Sequence, residues 1–157
     1  KDQIKTIVPS ILIVPLYYEL HGTHINISLL NLGEKYIEDA SIKITFPKID
    51  GLNIADKMYE PPNRSISVMG GSIGNFALIG YGKGYPLIEY LDDVIVIEKN
   101  LGNIKHHIPI KEVFGKSLRI IVLSNLIGQT ITVKCVIYGK NLQKPIEKDL
   151  KLHVKEN

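Results

Sequence analysis

The sequence predicts an all-β protein, folded as an antiparallel two-sheet sandwich, and three observations lead to this prediction. Apolar and polar residues alternate with a period of two in four runs, whereas no stretch of comparable length has the period of a helix. Ile and Val are abundant and Trp is absent, a composition that suits pleated surfaces. The predicted strands, roughly eight to ten in number, follow one another at the short spacings typical of a sandwich or barrel.

Each strand is predicted from its own local pattern. The alternating runs lie at 25–29, 42–46, 131–137 and 150–154. With the apolar runs between turn residues, they predict strands at 16–20, 24–32, 36–46, 87–91, 94–98, 104–110, 118–124, 130–138 and 149–154. We expect a β-bulge at Glu38-Asp39 within the strand at 36–46. We expect Pro47 to end that strand.

The connections are predicted from turn residues. A hairpin is expected around residues 99–103, where Asn and Gly cluster. A single helical turn is expected within 54–59 and a short strand at 65–69. The glycine-rich residues between 70 and 84 are expected to form turns.

Length and the N-terminal residues predict the domain organisation. A chain of 157 residues fits one domain, which we place at 16–157. Residues 1–15 are expected to be an N-terminal linker segment, because charged residues are followed by an apolar stretch that Pro9 and Pro15 interrupt. These prolines also argue against a membrane span in that stretch, and no signal peptide is visible. Because the chain starts at Lys1, we expect it to be one module of a longer protein.

Charge and cysteine content exclude few classes of protein. The net charge is +3, but it comes from dispersed lysines with only two arginines, which argues against a nucleic-acid partner. The single Cys135 excludes an internal disulfide, and its place on the apolar face of a run predicts a core residue. The compartment stays open between the cytoplasm and a bacterial exported domain.

Two stretches, 25–47 and 130–154, resemble the opening and closing strands of an immunoglobulin-like or fibronectin-type-III-like sandwich. The first has two alternating strands around the turn Asn31-Leu32-Gly33 and stops at Pro47, and the second joins its strands through 141–145. The resemblance implies an immunoglobulin-like or related topology. It also implies a non-catalytic interaction or spacer module of a bacterial multidomain protein.

The motifs that could carry chemistry are incomplete. Gly115-Lys116-Ser117 resembles the end of a phosphate-binding loop, but position 110 is Ile and a strand is predicted to follow. The five histidines lack metal-ligand spacing, and the paired carboxylates lie next to each other in sequence rather than across a cleft. We therefore predict no catalytic residue, no metal site and no cofactor.

The candidate binding surface is a glycine-rich segment with tyrosines, which are rigid and amphipathic contact residues. Its proposed residues are Tyr81, Lys83, Tyr85 and Tyr90. In the competing interpretation this segment is a loop whose tyrosines pack over the end of the sandwich. The favoured function is binding to another protein, or to other domains of the same parent chain, through loops or a strand edge. The alternatives are a carbohydrate-binding jelly-roll module, a nucleic-acid accessory domain and an enzyme with a dispersed active site.

Overall fold

The computed structural model describes residues 10–58 and 84–156, and it confirms the all-β prediction. In these ranges one helix, α1 (Ser10–His21), precedes eight strands and a short 3-10 turn at Ser124–Leu126. The strands are β1 (Thr23–Ile25), β2 (Ile37–Pro47), β3 (Leu52–Ile54), β4 (Ile88–Tyr90), β5 (Val94–Ile104), β6 (Leu118–Val122), β7 (Thr130–Tyr138) and β8 (Ile146–His153).

The strands form two antiparallel sheets that pack face to face. The smaller sheet has the order β1-β6-β3, and the larger has the order β4-β5-β2-β7-β8. Ile44 and Ile97 of the larger sheet and Leu118 and Ile120 of the smaller sheet belong to one buried cluster. Burying such a side chain contributes about 1.5–3 kcal/mol, so this shared core is what holds the two layers together.

Strand β2 confirms both the predicted alternation and the predicted bulge. Its burial alternates from Ala40 to Pro47, with Ile42, Ile44 and Phe46 facing the core, and the alternation is interrupted at Glu38-Asp39. The register with β5 shifts on either side of Ala40, and Asp39 has a φ of 44°. An Asn103 side chain accepts a hydrogen bond from the Asp39 amide at 3.0 Å, so the bulged backbone has a partner.

The predicted strand at 16–20 is wrong, because these residues lie in helix α1. The proposed boundary between linker and domain, at 15/16, falls inside this helix. A short apolar run does not distinguish a buried strand from a helix, and Pro15, which has no amide hydrogen to donate, weakened the helical interpretation. Packing of α1 against β6 decides the outcome. No helix in the described ranges is long and apolar enough to cross a membrane.

The predicted hairpin at 99–103 is also wrong, because β5 continues without a break to Ile104. Gly102, with a φ of 63°, pairs with Ala40, and Asn100 pairs with Ser41. The long β2 provides a continuous pairing partner, so the turn-forming residues are accommodated as an irregularity within the strand.

Two further predicted strands are shorter than expected. Of 24–32, only the first residues belong to β1, and of 104–110 only Ile104 belongs to a strand. The remaining residues run past each other as extended chain, with Leu29 and Ile110 exchanging backbone hydrogen bonds of 2.9 and 2.8 Å. The predicted helical turn at 54–59 is absent from its described part, 54–58, and the strand at 65–69 lies outside the described residues.

The core includes a large side chain from a loop. Phe114 lies between β5 and β6 outside any strand, yet it is fully buried. The side chain of Asn26 binds its backbone on both sides: Asn26 Nδ2 donates to the Phe114 carbonyl at 2.9 Å, and Oδ1 accepts from the Phe114 amide at 3.1 Å. The Asn26 side chain thus provides the backbone hydrogen bonds that a neighbouring strand would otherwise provide for Phe114. Cys135 is buried in the same cluster, which confirms its predicted place in the core.

Candidate functional site

The structure describes two of the four predicted binding residues. Tyr85 lies three residues before the start of β4, and Tyr90 is the last residue of that strand. Both tyrosines belong to the side of the larger sheet, and both hydroxyls reach across to the backbone of the smaller sheet. Tyr81 and Lys83 lie outside the described residues.

The Tyr85 hydroxyl completes the hydrogen-bond ladder between β3 and β6. The Ala55 amide donates to the Arg119 carbonyl at 2.9 Å, as in a regular antiparallel pair. The return bond is relayed: the Arg119 amide donates to the Tyr85 hydroxyl at 3.3 Å, and this hydroxyl donates to the Ala55 carbonyl at 2.8 Å. The hydroxyl therefore occupies a position inside the ladder.

The Tyr90 hydroxyl covers the outer edge of β3. It donates a hydrogen bond to the Ile54 carbonyl. It also accepts a hydrogen bond of 3.2 Å from the Ile54 amide. Because Ala55 bonds to β6, the groups of Ile54 point away from that strand and would otherwise face the open edge. Together the two tyrosines connect the sheets at one end of the sandwich.

Burial is the main cause of a raised pKa at each of these tyrosines. The pKa of Tyr85 is raised by burial, and that of Tyr90 likewise. Burial also raises the pKa of Tyr18 in α1, with smaller contributions from Tyr90 and Asp56. All three hydroxyls therefore remain protonated at neutral pH. The Tyr90 side chain retains exposed surface, since the residue is 45 % exposed, and its role as a contact for a partner stays a prediction.

We expect Tyr85→Phe to lower the free energy of unfolding by about 1–3 kcal/mol, since the Arg119 amide and the Ala55 carbonyl would each lose a partner. Tyr90→Phe is the matched control, because Tyr90 is 45 % exposed and its hydroxyl binds the outer edge of β3 rather than a position inside the ladder. Urea unfolding of both variants measures the difference. Equal costs for the two would contradict the placement of Tyr85 within the ladder.

An ion pair between Glu19 and Arg119 fastens α1 to the outer face of the smaller sheet. Arg119 Nε donates to Glu19 Oε2 at 2.8 Å, and Nη2 donates to Oε1 at 3.1 Å. Nη1 donates to the Ser117 carbonyl at 2.6 Å. The Arg119 side chain is 10 % exposed and that of Glu19 is 29 % exposed. Such a bidentate geometry is the strong form of a charge-assisted hydrogen bond.

The charge on Glu19 is stabilised chiefly by its hydrogen bonds from Arg119, which lower the pKa of the carboxyl group. His24 lies nearby on β1, with Nε2 at 3.9 Å from Glu19 Oε1. No sequence motif predicted this pair. A usable indication was present, because Arg119 is the one charged residue in the apolar run 118–124.

The histidines and acidic residues of the described ranges do not converge on a metal site. No group of three or more His, Cys, Asp or Glu side chains there could hold a metal ion. His106 and His107 stack edge to face, with ring centroids 5.6 Å apart. Gly115-Lys116-Ser117 is followed directly by β6, as predicted, so it lacks the helix that a phosphate-binding loop requires.

A third feature is the free edge of β8. This strand is last in the order of the larger sheet and pairs only with β7 among the described residues. The Val154 amide donates to the Gln129 carbonyl at 3.0 Å. By the alternation of an antiparallel ladder, the even-numbered residues of β8 bond to β7 and the odd-numbered residues direct their amides and carbonyls outward.

The two faces of β8 differ in character. The outward-bonding residues carry charged or ionisable side chains, namely Glu147, Asp149, Lys151 and His153. The side chains on the other face are Ile146, Lys148, Leu150 and Leu152, which pair with Ile137, Cys135, Val133 and Ile131 of β7. On this core-side face Ile146 is 38 % and Leu150 is 36 % exposed, so the smaller sheet does not cover them fully.

These features define the chain as an all-β protein of two packed antiparallel sheets, with a helix held on the smaller sheet and, within the described ranges, a long unpaired edge on the larger. The chain matches no family model, no curated protein and no solved structure. Its own residues are therefore the basis for a functional proposal.

Proposed function

We propose that the chain is a non-catalytic interaction module, immunoglobulin-like in broad architecture, which binds a protein partner by pairing a strand of that partner with the edge of β8. The observation that supports this proposal is the free edge itself. Strand addition uses main-chain hydrogen bonds for affinity and alternate side chains for specificity. β8 offers both, since its outward amides are unpaired within the described residues and its core-side face exposes Ile146 and Leu150.

The other sheet edges are less suited to a partner strand. The other edge strands, β1, β3 and β4, have three residues each, and the Tyr90 hydroxyl already occupies the outer edge of β3. β8 has eight residues, enough for four outward-bonding positions. A partner could also contact Tyr90, whose ring lies at the opposite edge of the larger sheet from β8.

The test uses a proline at an outward amide. We expect Asp149→Pro to remove one donor and to place the ring where a partner strand must lie, while the bonds to β7 stay intact. Asp149→Ala is the matched control, because it removes the same carboxylate and keeps the amide. Thermal unfolding of both variants checks that the sandwich is retained, and Lys151→Pro repeats the test at a second outward amide.

The partner is captured by a photo-crosslinking residue at position 149, in the full-length protein within its own cells, and is then purified. We expect it to bind wild type and Asp149→Ala with similar affinity, and Asp149→Pro at least ~10-fold more weakly, as measured by calorimetry. A purified partner that binds Asp149→Pro as well as Asp149→Ala would overturn the proposal. So would a crosslinker that captures nothing at 149 but does so at position 90.

A further inference from the structure

We infer that the strand which pairs with β8 is β8 of a second copy of this chain, in an antiparallel arrangement with a two-fold axis at Leu150. The inference rests on the proposed function, because it names the partner of the same edge. Closed two-fold dimers are the commonest oligomers of soluble proteins, and their interfaces are self-complementary. The charge pattern of β8 has this self-complementarity.

The backbone restricts the possible registers. Only the odd-numbered residues of β8 have outward amides and carbonyls, so two antiparallel copies must pair odd with odd. With the axis at Leu150, the position numbers of paired residues add up to 300. Asp149 then lies opposite Lys151 of the second copy, and Glu147 lies opposite His153 of the second copy. The two-fold axis repeats each of these pairs.

The side chains favour this register over its neighbours. Opposite charges on directly paired residues stabilise a sheet, whereas like charges destabilise it. A shift by two in one direction would place Asp149 opposite Asp149, and a shift in the other direction would place Lys151 opposite Lys151. The register centred on Leu150 has no like-charge pair. Lys151 donates one hydrogen bond to Thr132, at 2.8 Å, and its ammonium group has two further donors for a carboxylate.

The same register accounts for the exposed apolar side chains on the core-side face. Leu150 would meet Leu150 of the second copy, and Ile146 would meet Val154 of the second copy. Both Leu150 and Ile146 are more than a third exposed in the single chain. Their mutual burial would remove apolar surface from water, which favours association.

Lys148 restricts pairing to this partner. Its charge lies on the core-side face, a device by which natural proteins discourage indiscriminate edge pairing. In the proposed dimer it lies opposite Leu152 of the second copy, where its aliphatic stem can pack and its ammonium group can reach water. The two five-stranded sheets would then form one continuous sheet of ten strands.

The test is a charge swap read by sedimentation equilibrium of the purified chain. Asp149→Lys leaves lysines at both 149 and 151, and Lys151→Asp leaves aspartates at both. We expect each variant alone to have a dimer dissociation constant at least ~10-fold higher than wild type, because each dimer would contain two like-charge pairs. An equimolar mixture of the two variants should form heterodimers about as tightly as wild type. The double variant Asp149→Lys/Lys151→Asp should dimerise again.

Matched controls change the charge elsewhere. Asp92→Lys and Lys105→Asp alter the net charge by the same amounts at exposed positions outside β8, and we expect both to dimerise like wild type. Asp149→Pro should be monomeric and Asp149→Ala should remain dimeric.

Three results would overturn the inference. One is a wild-type chain that remains monomeric at about 1 mM, a concentration at which even a dimer with a Kd of about 1 mM would be detected. Another is a mixture of the charge variants that fails to associate although wild type dimerises. The third is a crosslinker at position 149 that captures only a different protein. This last result would leave the proposed function intact. A crosslinker at position 149 that captures no protein at all would overturn both the proposed function and the inference.

Discussion

Phe114→Ala is expected to lower the free energy of unfolding by about 3–5 kcal/mol, the range typical of a large aromatic side chain deleted from a core. Phe114 is completely buried, with 0 % of its surface exposed, and it belongs to the main cluster between the two sheets. Its position in a loop does not reduce the cost, because Asn26 holds its backbone at both the amide and the carbonyl. The cavity therefore cannot close easily by movement of the chain.

Urea unfolding followed by circular dichroism measures this effect. Phe114→Leu is the control, since it retains most of the buried apolar volume and should cost less than about 1.5 kcal/mol. Asn26→Ala tests the support separately, because it removes the two hydrogen bonds and leaves the ring in place. If Phe114→Ala costs no more than Phe114→Leu, the loop is not an integral part of the core.

Glu19→Ala is expected to lower the free energy of unfolding by about 2–3 kcal/mol, because it leaves a buried guanidinium without its carboxylate. This loss of stability lies at or below the lower end of the range usual for a broken buried ion pair, because the Ser117 carbonyl remains as a partner of Arg119. Arg119→Met should cost less, about 1 kcal/mol, since Glu19 is partly exposed and water can hydrate its carboxylate.

A double-mutant cycle separates the pair from the two residues. We expect a coupling energy of about 1–2 kcal/mol, which makes Glu19→Ala/Arg119→Met no less stable than Glu19→Ala although it carries a second substitution. Hydrogen exchange of the α1 amides gives an independent measurement, because loss of the tether should expose the helix before the sandwich unfolds. Additive effects of the two substitutions would show that the pair does not hold the helix.

The same pair predicts a pH dependence with a definite sign. The pKa of Glu19 is lower in the folded chain than its ordinary value of 4.5, chiefly because of the hydrogen bonds from Arg119. Above pH 4.5 the carboxylate is charged in both states, so its contribution to stability is fully present. As the pH falls below 4.5 and through the folded pKa, this contribution is lost. The stability difference between wild type and Glu19→Gln should therefore shrink between neutral pH and about pH 3.

The local sequence pattern was sufficient to predict where the long strands lie, but it was insufficient to predict which strands pair with them. The alternation in β2 and β7 predicted both strands within one or two residues, because each has one face against the core. The bulge at Asp39 was also predictable from two adjacent carboxylates within a strand. By contrast, nothing in residues 99–103 indicated that β2 would extend β5 through a turn-like sequence.

The candidate site depended even more on contacts distant in sequence. Tyr85 and Tyr90 were identified as tyrosines in a suggestive segment, but their hydroxyls are bound to the backbone at 54–55 and 119. The pairing of Glu19 with Arg119 joins residues 100 positions apart. Which strand lies at a sheet edge is likewise a property of strand order, and the sequence of β8 alone does not contain it.

The sequence by itself determined that this chain forms two-faced strands, where most of those strands run, and which of their faces is apolar. These are consequences of a side-chain period that each strand carries locally. Only the tertiary structure decided that residues 10–21 are helical, that a loop supplies Phe114 to the core, and that β8 is an edge strand among the residues that the structure describes. Each of these depends on which distant residues meet, and the free energy of such contacts outweighs the local preferences of a short segment.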